Sequence, residues 1–562
     1  MIPEGSNLKF LEQNYAIGID LGISYCRACL FDGEKFMMIP NEINEIATPS
    51  YISFTETGVL VGQKGKDEIL HNPQNTIFNI KRLVGQRFSD LQVQEDIKNL
   101  PFIIEQGPGD KPLIVVELKK RIFKFYPEEI YSFLIEKIIE NAESLTKQPV
   151  NEVVVTVPAY FNRAQIYQTI KGCSLDSVKV LRTIKESQAI ALGLYSLQNI
   201  TNEKIVLVYK AGGGSLDVSI ISIQDQIFEV KAMSGDNHLG GEDFLQRIVE
   251  FCLEEFKLHS KVDLSGDKNA VLKLRQECEN ARKKLTTDYD VMIKVPRIYS
   301  AYDLKVNFSR KQFEELCYDL FQRCIQPIVS AMKDAKVNAI DIHDIVIVGG
   351  LTRTPRLNQI LEDLFKNKNL VRPHNHHDLS AYGAALEAGI VMGKMGPQFQ
   401  NLLQIDATSY GLGIEVDNGK MQYIINRNTA FPTTKSVIFT TSKDYQSEFP
   451  IRVYEGQSED TKFDLFLGEF KLINIQPSFK GVPRIEIKFD IDGQRNLTVT
   501  ASEMGTLNRR YIKIDSEWIS KINFQKEAEI KNKNVIFQEN VFQPISIQIY
   551  KKESQIEMMS DV

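Results

Sequence analysis

The chain reads Ile205-Val-Leu-Val-Tyr-Lys-Ala-Gly-Gly-Gly-Ser-Leu-Asp217, an apolar run that passes into glycines, a hydroxyl residue and an acid. Such a run, bounded by turn residues, predicts a buried strand that ends in a tight turn. The same pattern occurs in Ala16-Ile-Gly-Ile-Asp-Leu-Gly22 and in Ile345-Val-Ile-Val-Gly-Gly-Leu-Thr-Arg353. Because glycine lets backbone N–H groups converge on an anion, the three turns together predict a phosphate site. The sequence lacks Gly-x4-Gly-Lys-[Ser/Thr], which excludes the P-loop class.

Composition excludes several other classes of protein. The 562 residues are enough for several globular domains, and 25% charged with 43% hydrophobic residues is an ordinary globular balance. A net charge of -6 provides no basic field for nucleic acid. The 7 scattered cysteines favour a reducing compartment over a disulfide framework. We find no signal peptide and no apolar segment of about 18 residues, so a cytoplasmic protein without membrane contact is expected.

The residues around the glycine turns follow the pattern of an α/β region. Helical periodicity over residues 127–145 and 269–285 alternates with the predicted strands up to about Met395. After residue 400 the period changes to two, as in Ile485-Glu-Ile-Lys-Phe-Asp-Ile-Asp-Gly493 and Leu497-Thr-Val-Thr-Ala501, which predicts a hairpin. With further strands at 437–441 and 451–454, a mostly antiparallel β unit is expected over residues 408–515. A weak helical pattern follows from Ser516.

Several segments with these turns carry a resemblance to a known family. From about residue 14 to residue 530 the chain resembles the seventy-kilodalton heat-shock chaperones, as a divergent member. The resemblance implies an actin-like two-lobed ATP-binding domain over residues 14–398 and an interdomain linker over 399–407. It further implies a β-sandwich that binds extended peptides over 408–515 and a truncated helical lid or tail over 516–562. The segments are Gly18–Gly22, Asn79–Gly85, Val153–Asn162, Gly212–Ser219, Gly235–Phe244, Ile342–Gly350 and Phe479–Ile487.

The resemblance also implies the roles of particular residues toward ATP or ADP and Mg²⁺. Lys81, Glu186 and Asp217 would be catalytic, and Asp20 and Asp217 would lie near the metal, which prefers oxygen ligands. Glu279, Arg282, Lys283 and Thr286, expected on one helix, would hold ribose and adenine. The remaining nucleotide contacts would be Gly22, Ser24, Tyr25, Gly212, Gly213, Gly214, Ser215, Gly349, Gly350 and Arg353.

Lys210 is the largest departure from the family, which has an aspartate at this position. At about 4 Å and an effective dielectric constant near 20, one pair of unit charges interacts by about 4 kcal/mol. The change is therefore expected to repel Mg²⁺, to attract phosphate and to leave nucleotide binding with weakened hydrolysis. In the alternative, the lysine turns to solvent and water fills the gap. Smaller departures are Ile23, Arg163, Leu351, His377 and the triplet Glu186-Ser-Gln.

The predicted peptide-binding half departs from the family as well. Phe449 stands where a smaller valine commonly lines the pocket, and Asp417 and Ser442 make the surrounding arch more polar. Only about thirty residues of the sequence follow residue 530, so a shortened lid is expected. The expected partners are unfolded polypeptides, helper chaperones and nucleotide exchange factors. The alternative function is a non-hydrolysing regulator or exchange-factor-like partner of another chaperone; a sugar kinase is excluded because residues 408–515 match a peptide-binding sandwich.

Two tempting metal motifs are interpreted as structural. Cys26-Arg-Ala-Cys29 lies on a predicted strand, where residues three apart point to opposite faces and cannot share a metal ion. His374-Asn-His-His377 lies in a predicted loop without cysteine or carboxylate partners. Neither motif is expected to bind zinc.

Overall fold

The computed structural model describes residues 16–366, 368–374, 376–515 and 517–519. The three apolar runs that precede the glycine turns are strands, Ala16–Leu21, Lys204–Ala211 and Asp344–Val348. Each ends at the glycine turn that the sequence predicts, because glycine has no side chain to pack and weakens a strand. The α/β prediction for this part of the chain is confirmed.

Two six-stranded sheets, called the lobe I sheet and the lobe II sheet, organise the first part of the described chain. In the lobe I sheet the strand order is Lys179–Lys185, Glu152–Val157, Ala16–Leu21, Tyr25–Phe31 and Phe36–Ile39, with Thr48–Pro49 paired to Tyr25–Phe31. In the lobe II sheet the order is Asn369–Val371, Asp344–Val348, Lys204–Ala211, Leu216–Gln224, Ile227–Asp236 and Leu403–Ile405. Smaller sheets are built from Ile52–Phe54, Val59–Val61 and Thr76–Ile77; from Ile103–Gln106, Pro112–Leu118 and Arg121–Phe125; and from Asp290–Tyr299 and Tyr302–Ser309.

Helices cover both sheets and join the lobes. Glu186–Tyr195 and Leu379–Val391 share one hydrophobic core with strands of both sheets. The long helix Pro127–Thr146 begins with proline at its first turn, where a missing N–H costs nothing, followed by Glu128 and Glu129. It and Lys268–Lys284 agree with the predicted helices. The others are Gln63–Asp67, Leu91–Lys98, Arg163–Cys173, Gly241–Ser260, Arg310–Leu316, Tyr318–Arg323, Gln326–Ala335 and Pro355–Leu364.

The second part of the chain is a β-sandwich of two four-stranded sheets. The predicted hairpin is present as Arg484–Ile491 paired with Leu497–Glu503, and alternate residues such as Ile485, Ile487 and Phe489 are buried. These alternate residues fill the core between the sheets. The sheet orders are Lys420–Ile425, Gly411–Val416, Glu448–Gly456 and Leu465–Ile473, and Thr433–Thr440, Arg484–Ile491, Leu497–Glu503 and Arg509–Ile514.

The predicted linker is an edge strand in the structure. Leu403–Ile405 pairs in parallel with Ile227–Glu229 of the lobe II sheet. Phe399, just before it, is 2% exposed and belongs to the core shared by the two lobes. The predicted linker segment is therefore docked on the lobe II sheet. The domain boundaries themselves stay predictions.

The predicted tail over 516–562 lies outside the described residues except for Glu517–Ile519, which are helical. Trp518 in this turn donates from its indole nitrogen to the Leu467 carbonyl oxygen at 2.9 Å. Within the described ranges, no helix has the length and apolar character that a membrane span requires.

Candidate functional site

A cavity of about 720 Å³ opens where the strands of the two lobes end. All three predicted glycine turns contribute to its wall, as does the helix Lys268–Lys284. The structure brings together most of the predicted site residues. Those that line the cavity are Asp20, Gly22, Ser24, Tyr25, Lys81, Glu186, Gly212, Gly213, Gly214, Ser215, Glu279, Arg282, Lys283, Gly349, Gly350 and Arg353.

The glycine turns of the two lobes approach each other closely. A Cβ atom at Gly213 would lie 2.4 Å from Ser24 Oγ, which belongs to the turn of the opposite lobe. At Gly349, which has a φ of +97°, a Cβ atom would lie 2.1 Å from the Ala211 carbonyl oxygen. Side chains are thus excluded at both places, and the backbone forms the wall. Such a cradle of glycine turns fits the phosphates of a nucleotide.

Lys210 lies in the middle of the carboxylates at the base of this cradle. Its Nζ donates to one oxygen of Glu186 and lies 3.9 Å from Asp20 Oδ1. Lys81 Nζ donates to the other Glu186 oxygen at 2.5 Å and to the Leu21 carbonyl oxygen at 2.5 Å. The Lys210 side chain is 13% exposed. The alternative in which this lysine turns to solvent is therefore wrong.

Burial and opposite charges act against each other in this cluster. Burial alone would raise the pKa of Glu186, but the charges of Lys210 and Lys81 lower it to about 2. Burial likewise opposes the charged form of Lys210, yet Glu186, Asp20 and Asp217 hold the pKa of the lysine above its ordinary value. Both groups are thus charged at neutral pH, and Lys210 is a fixed cation of the site.

The donor set does not fit a divalent cation. Both oxygens of Glu186 accept hydrogen bonds from ammonium groups, and Asp20 Oδ1 accepts one from Thr156 Oγ1 at 3.0 Å. Within the described ranges, no three His, Cys, Asp or Glu side chains converge as a metal site. Cys26 and Cys29 are buried and free, and they belong to two different cores, as their spacing predicts.

Asp217 and Thr286 do not line the cavity. Asp217 is fully buried, with its carboxylate accepting from the Ala159 N–H at 2.9 Å and from Ser215 Oγ at 3.4 Å. Burial and the nearby charge of Glu186 raise the pKa of Asp217 to about 7. The placement of Thr286 on the nucleotide helix is wrong, because the helix ends at Lys284 and the Thr286 hydroxyl donates to the Lys283 carbonyl oxygen at 2.7 Å.

The far end of the cavity carries the residues predicted for ribose and adenine. The Arg282 guanidinium makes two hydrogen bonds to Glu279, at 2.7 and 2.9 Å, and Lys283 Nζ lies 3.3 Å from the same carboxylate. Across from them, Arg353 lies 3.0 Å from His377 Nε2. Burial, with His376, Arg27 and Arg353 nearby, lowers the pKa of His377 to about 3, so its ring is neutral.

A second group of buried charges, which sequence reasoning missed, joins the cavity to the linker. Lys185 directly precedes Glu186 but points away from it, donating to Asp406 Oδ1 at 3.0 Å and to the Ala407 carbonyl oxygen at 2.6 Å. Arg495 of the sandwich donates to Asp406 Oδ2 at 2.7 Å. Arg163, near the same place, contacts Glu455 through its backbone N–H at 2.8 Å. No local pattern reveals these pairs, because their partners are 89 to 292 positions apart.

In the sandwich, the predicted pocket residue Phe449 faces another ring. Its centroid lies 6.3 Å from that of Phe439, and both side chains pack against the sandwich core. Asp417 and Ser442 are exposed, and Ile451 is fully buried. The phenyl ring thus packs beside the sandwich core, and its filling of a peptide-binding pocket stays a prediction.

These features define a class of protein: an actin-like, two-lobed nucleotide-binding unit joined to a β-sandwich. Comparison with known proteins identifies the family. The model of the Hsp70 protein family matches residues 16–545. The chain is 40% identical to heat shock cognate 70 kDa protein 3 of Dictyostelium discoideum over 505 residues, covering 89% of the chain and 80% of that protein. It is also 40% identical to the heat shock 70 kDa protein of Neurospora crassa over 504 residues, covering 89% and 78%. The chain belongs to the Hsp70 family of ATP-binding chaperones of the stress response.

Proposed function

We propose that the chain is a nucleotide-binding chaperone that holds ATP or ADP and binds unfolded polypeptide under nucleotide control, with hydrolysis weakened by Lys210. The observation that carries this proposal is the ammonium of Lys210 between Glu186 and Asp20 at the base of the glycine cradle. The architecture of the family therefore surrounds an altered centre.

The residues of the cavity have the chemistry that a nucleoside phosphate requires. The turns at Gly22, Gly213–Gly214 and Gly349 offer backbone N–H groups to phosphate oxygens, and Lys81 adds an ammonium. Glu279 and Arg282 offer an acceptor and donors suited to ribose hydroxyls and the base. ATP would supply the phosphoanhydride bond to this site.

Weak hydrolysis follows from charge. At the observed 3.9 Å between Lys210 Nζ and Asp20 Oδ1, and an effective dielectric constant near 20, a pair of unit charges interacts by about 4 kcal/mol. A divalent cation at the same distance from Lys210 would be repelled by twice as much, about 8 kcal/mol, so the Mg²⁺ site is weakened. Loss of one well-placed electrostatic element typically costs about 10²- to 10³-fold in rate.

The partners follow from the family and remain part of the proposal. They are unfolded or extended polypeptides bound by the sandwich, together with helper chaperones and nucleotide exchange factors; nucleic acid and membrane are not among them. A cytoplasmic location is supported by cysteines that are all free and buried in the described chain.

Single-turnover hydrolysis of ATP tests the proposed effect of Lys210. Wild type is expected to be slow, and Lys210→Asp to be about 10²-fold faster in the presence of Mg²⁺. Lys231→Asp, which changes a lysine that is 34% exposed two strands away in the same sheet, serves as the matched control and should behave as wild type. No gain in Lys210→Asp, or rapid turnover by the unaltered chain, would contradict the proposal.

A second candidate is the non-hydrolysing regulator of another chaperone. The Phe449–Phe439 contact favours it, because a filled pocket leaves less room for an apolar peptide side chain. Titration of a fluorescent peptide with and without ATP separates the two functions. Peptide release on addition of ATP supports the chaperone, and no peptide binding in either condition supports the regulator.

A further inference from the structure

Lys210 holds the two lobes together from inside the cavity. It is the penultimate residue of Lys204–Ala211 in the lobe II sheet, whereas Glu186 follows Lys179–Lys185 of the lobe I sheet. Their ion pair therefore crosses the cleft between the sheets. Lys210 is also the direct antiparallel neighbour of Asp217. One ammonium thus faces carboxylates from three segments of the chain.

The charge of this cluster is already balanced by the protein. The carboxylates of Asp20 and Glu186 face the ammonium groups of Lys81 and Lys210, so these four charges cancel. Asp217, the buried cross-strand neighbour of Lys210, adds at most one negative charge. An aspartate in place of Lys210 would make the cluster more negative by two charges, the charge of one divalent cation. Lys210 therefore supplies the positive charge that a bound Mg²⁺ would otherwise have to bring to the cluster.

We propose that Lys210 acts as a resident cation, so that the cavity takes nucleoside di- and triphosphates in their metal-free form. This inference rests on the nucleotide binding proposed above. The phosphate chain, more highly charged without its metal, meets the backbone N–H groups of the glycine turns and the ammonium groups of Lys81 and Lys210.

Excess Mg²⁺ is expected to weaken nucleotide binding to this cavity, whereas it strengthens nucleotide binding to a site built of carboxylates. A nucleotide that carries Mg²⁺ brings a like charge toward Lys210, which is held by Glu186 and cannot reach solvent without breaking that ion pair. Either the metal dissociates from the nucleotide or the lysine is displaced. Both cost affinity, so Mg²⁺ competes with the protein for the phosphates.

Calorimetric titration with ADP, which is not consumed, tests the inference on the full chain. Titrations are run in EDTA and in excess MgCl2 with wild type, Lys210→Asp and Lys210→Gln. Wild type is expected to bind ADP about 10-fold more tightly in EDTA, and Lys210→Asp about 10-fold more tightly in MgCl2. Lys210→Gln should lose the preference of wild type for metal-free ADP. Lys231→Gln, the exposed control, should keep it.

The outcomes separate this inference from the proposed function. Tighter binding of ADP to wild type in MgCl2 than in EDTA would overturn the resident cation while leaving nucleotide binding intact. No binding of ADP or ATP by folded wild type in either buffer would overturn the proposed function itself. The comparison of wild type in EDTA with wild type in MgCl2 decides the question without the variants. The inference therefore stays testable even if a variant fails to fold.

Discussion

Asp406→Asn is expected to release the linker from the lobe II sheet. Asp406 is held from both sides, by Lys185 Nζ at 3.0 Å and by an Arg495 nitrogen at 2.7 Å. Burial would raise the pKa of Asp406, but these two cations hold it below its ordinary value, so the group is charged at neutral pH. Neutralising it leaves the buried Lys185 ammonium, 4% exposed, beside Arg495 without the carboxylate that it contacts.

The size of the effect follows from this burial. Removing one partner of a buried ion pair costs about 3–5 kcal/mol. Because asparagine keeps an acceptor oxygen, we expect the lower limit, about 3 kcal/mol. Release of the linker lets water reach Asp406, Lys185 and Arg495. The free-energy cost of the substitution therefore destabilises the docked state and not the released one. At 1.36 kcal/mol for each factor of ten, the ratio of docked to released linker should fall by about 150-fold.

Hydrogen exchange of the amides of Leu403–Ile405 measures this ratio, because the strand is protected by its pairing with Ile227–Glu229. Asp406→Asn should exchange about 150-fold faster than wild type. Glu229→Gln is the matched control, since its pair with Lys231 is 34% exposed on the same sheet edge and contributes about 0.5 kcal/mol at most. Equal exchange in Asp406→Asn and Glu229→Gln would refute the reasoning.

Three further predictions concern stability, peptide binding and pH. Glu186→Gln removes the carboxylate that Lys81 and Lys210 share and should lower the free energy of unfolding in urea by about 3–5 kcal/mol, with about half recovered by adding Lys210→Gln. Phe449→Val should tighten binding of a leucine-containing peptide by about 10-fold in fluorescence anisotropy, because it opens volume for an apolar side chain, whereas Phe463→Val at a 74% exposed site should not. Burial, opposed by Asp406, lowers the pKa of Lys185 from its ordinary 10.5 to about 8 in the docked state. Between pH 8 and pH 10.5 the lysine is therefore protonated when the linker is released and neutral when it is docked, so raising the pH favours docking. Quench-flow hydrogen exchange should show the ratio of docked to released linker rise by up to about 10-fold per pH unit in this range.

Each of these predictions has a result that contradicts it. For Glu186→Gln, it is a double variant no more stable than the single one. For Phe449→Val, it is unchanged peptide affinity, which would place the pocket elsewhere. For Lys185, the contradicting result is docking of the linker that weakens as the pH rises above 8. Arg495 and Glu455 face the same lysine, but neither has an ordinary pKa between 8 and 10.5, so neither would account for the change.

The parts of the fold that the sequence predicts are those set by local pattern. The strands before Gly22, Gly212 and Gly349 and the hairpin after Arg484 follow from apolar period and turn residues alone. Thr286 was misplaced because the end of a helix depends on capping contacts that a spacing rule does not contain.

What the sequence does not predict is which distant charges meet. The sequence shows that Lys210 replaces the aspartate of the family. Its ion pair with Glu186 cannot be predicted in the same way, because the pair depends on how the two sheets are positioned relative to each other. Lys185 and Asp406 lie 221 positions apart and have no distinguishing neighbours in the sequence. The apolar segment 401–405 has the composition of a hinge, and only the free edge of Ile227–Asp236 makes it a strand.

The most direct measurement is a crystal structure of the chain grown with ATP and MnCl2, with diffraction collected at the manganese absorption edge. If Lys210 acts as the resident cation, the map should show nucleotide density along the glycine turns and Lys210 still paired with Glu186. No anomalous peak should lie beside Asp20 or Glu186. A manganese peak bound among these carboxylates, with Lys210 turned away, would contradict it.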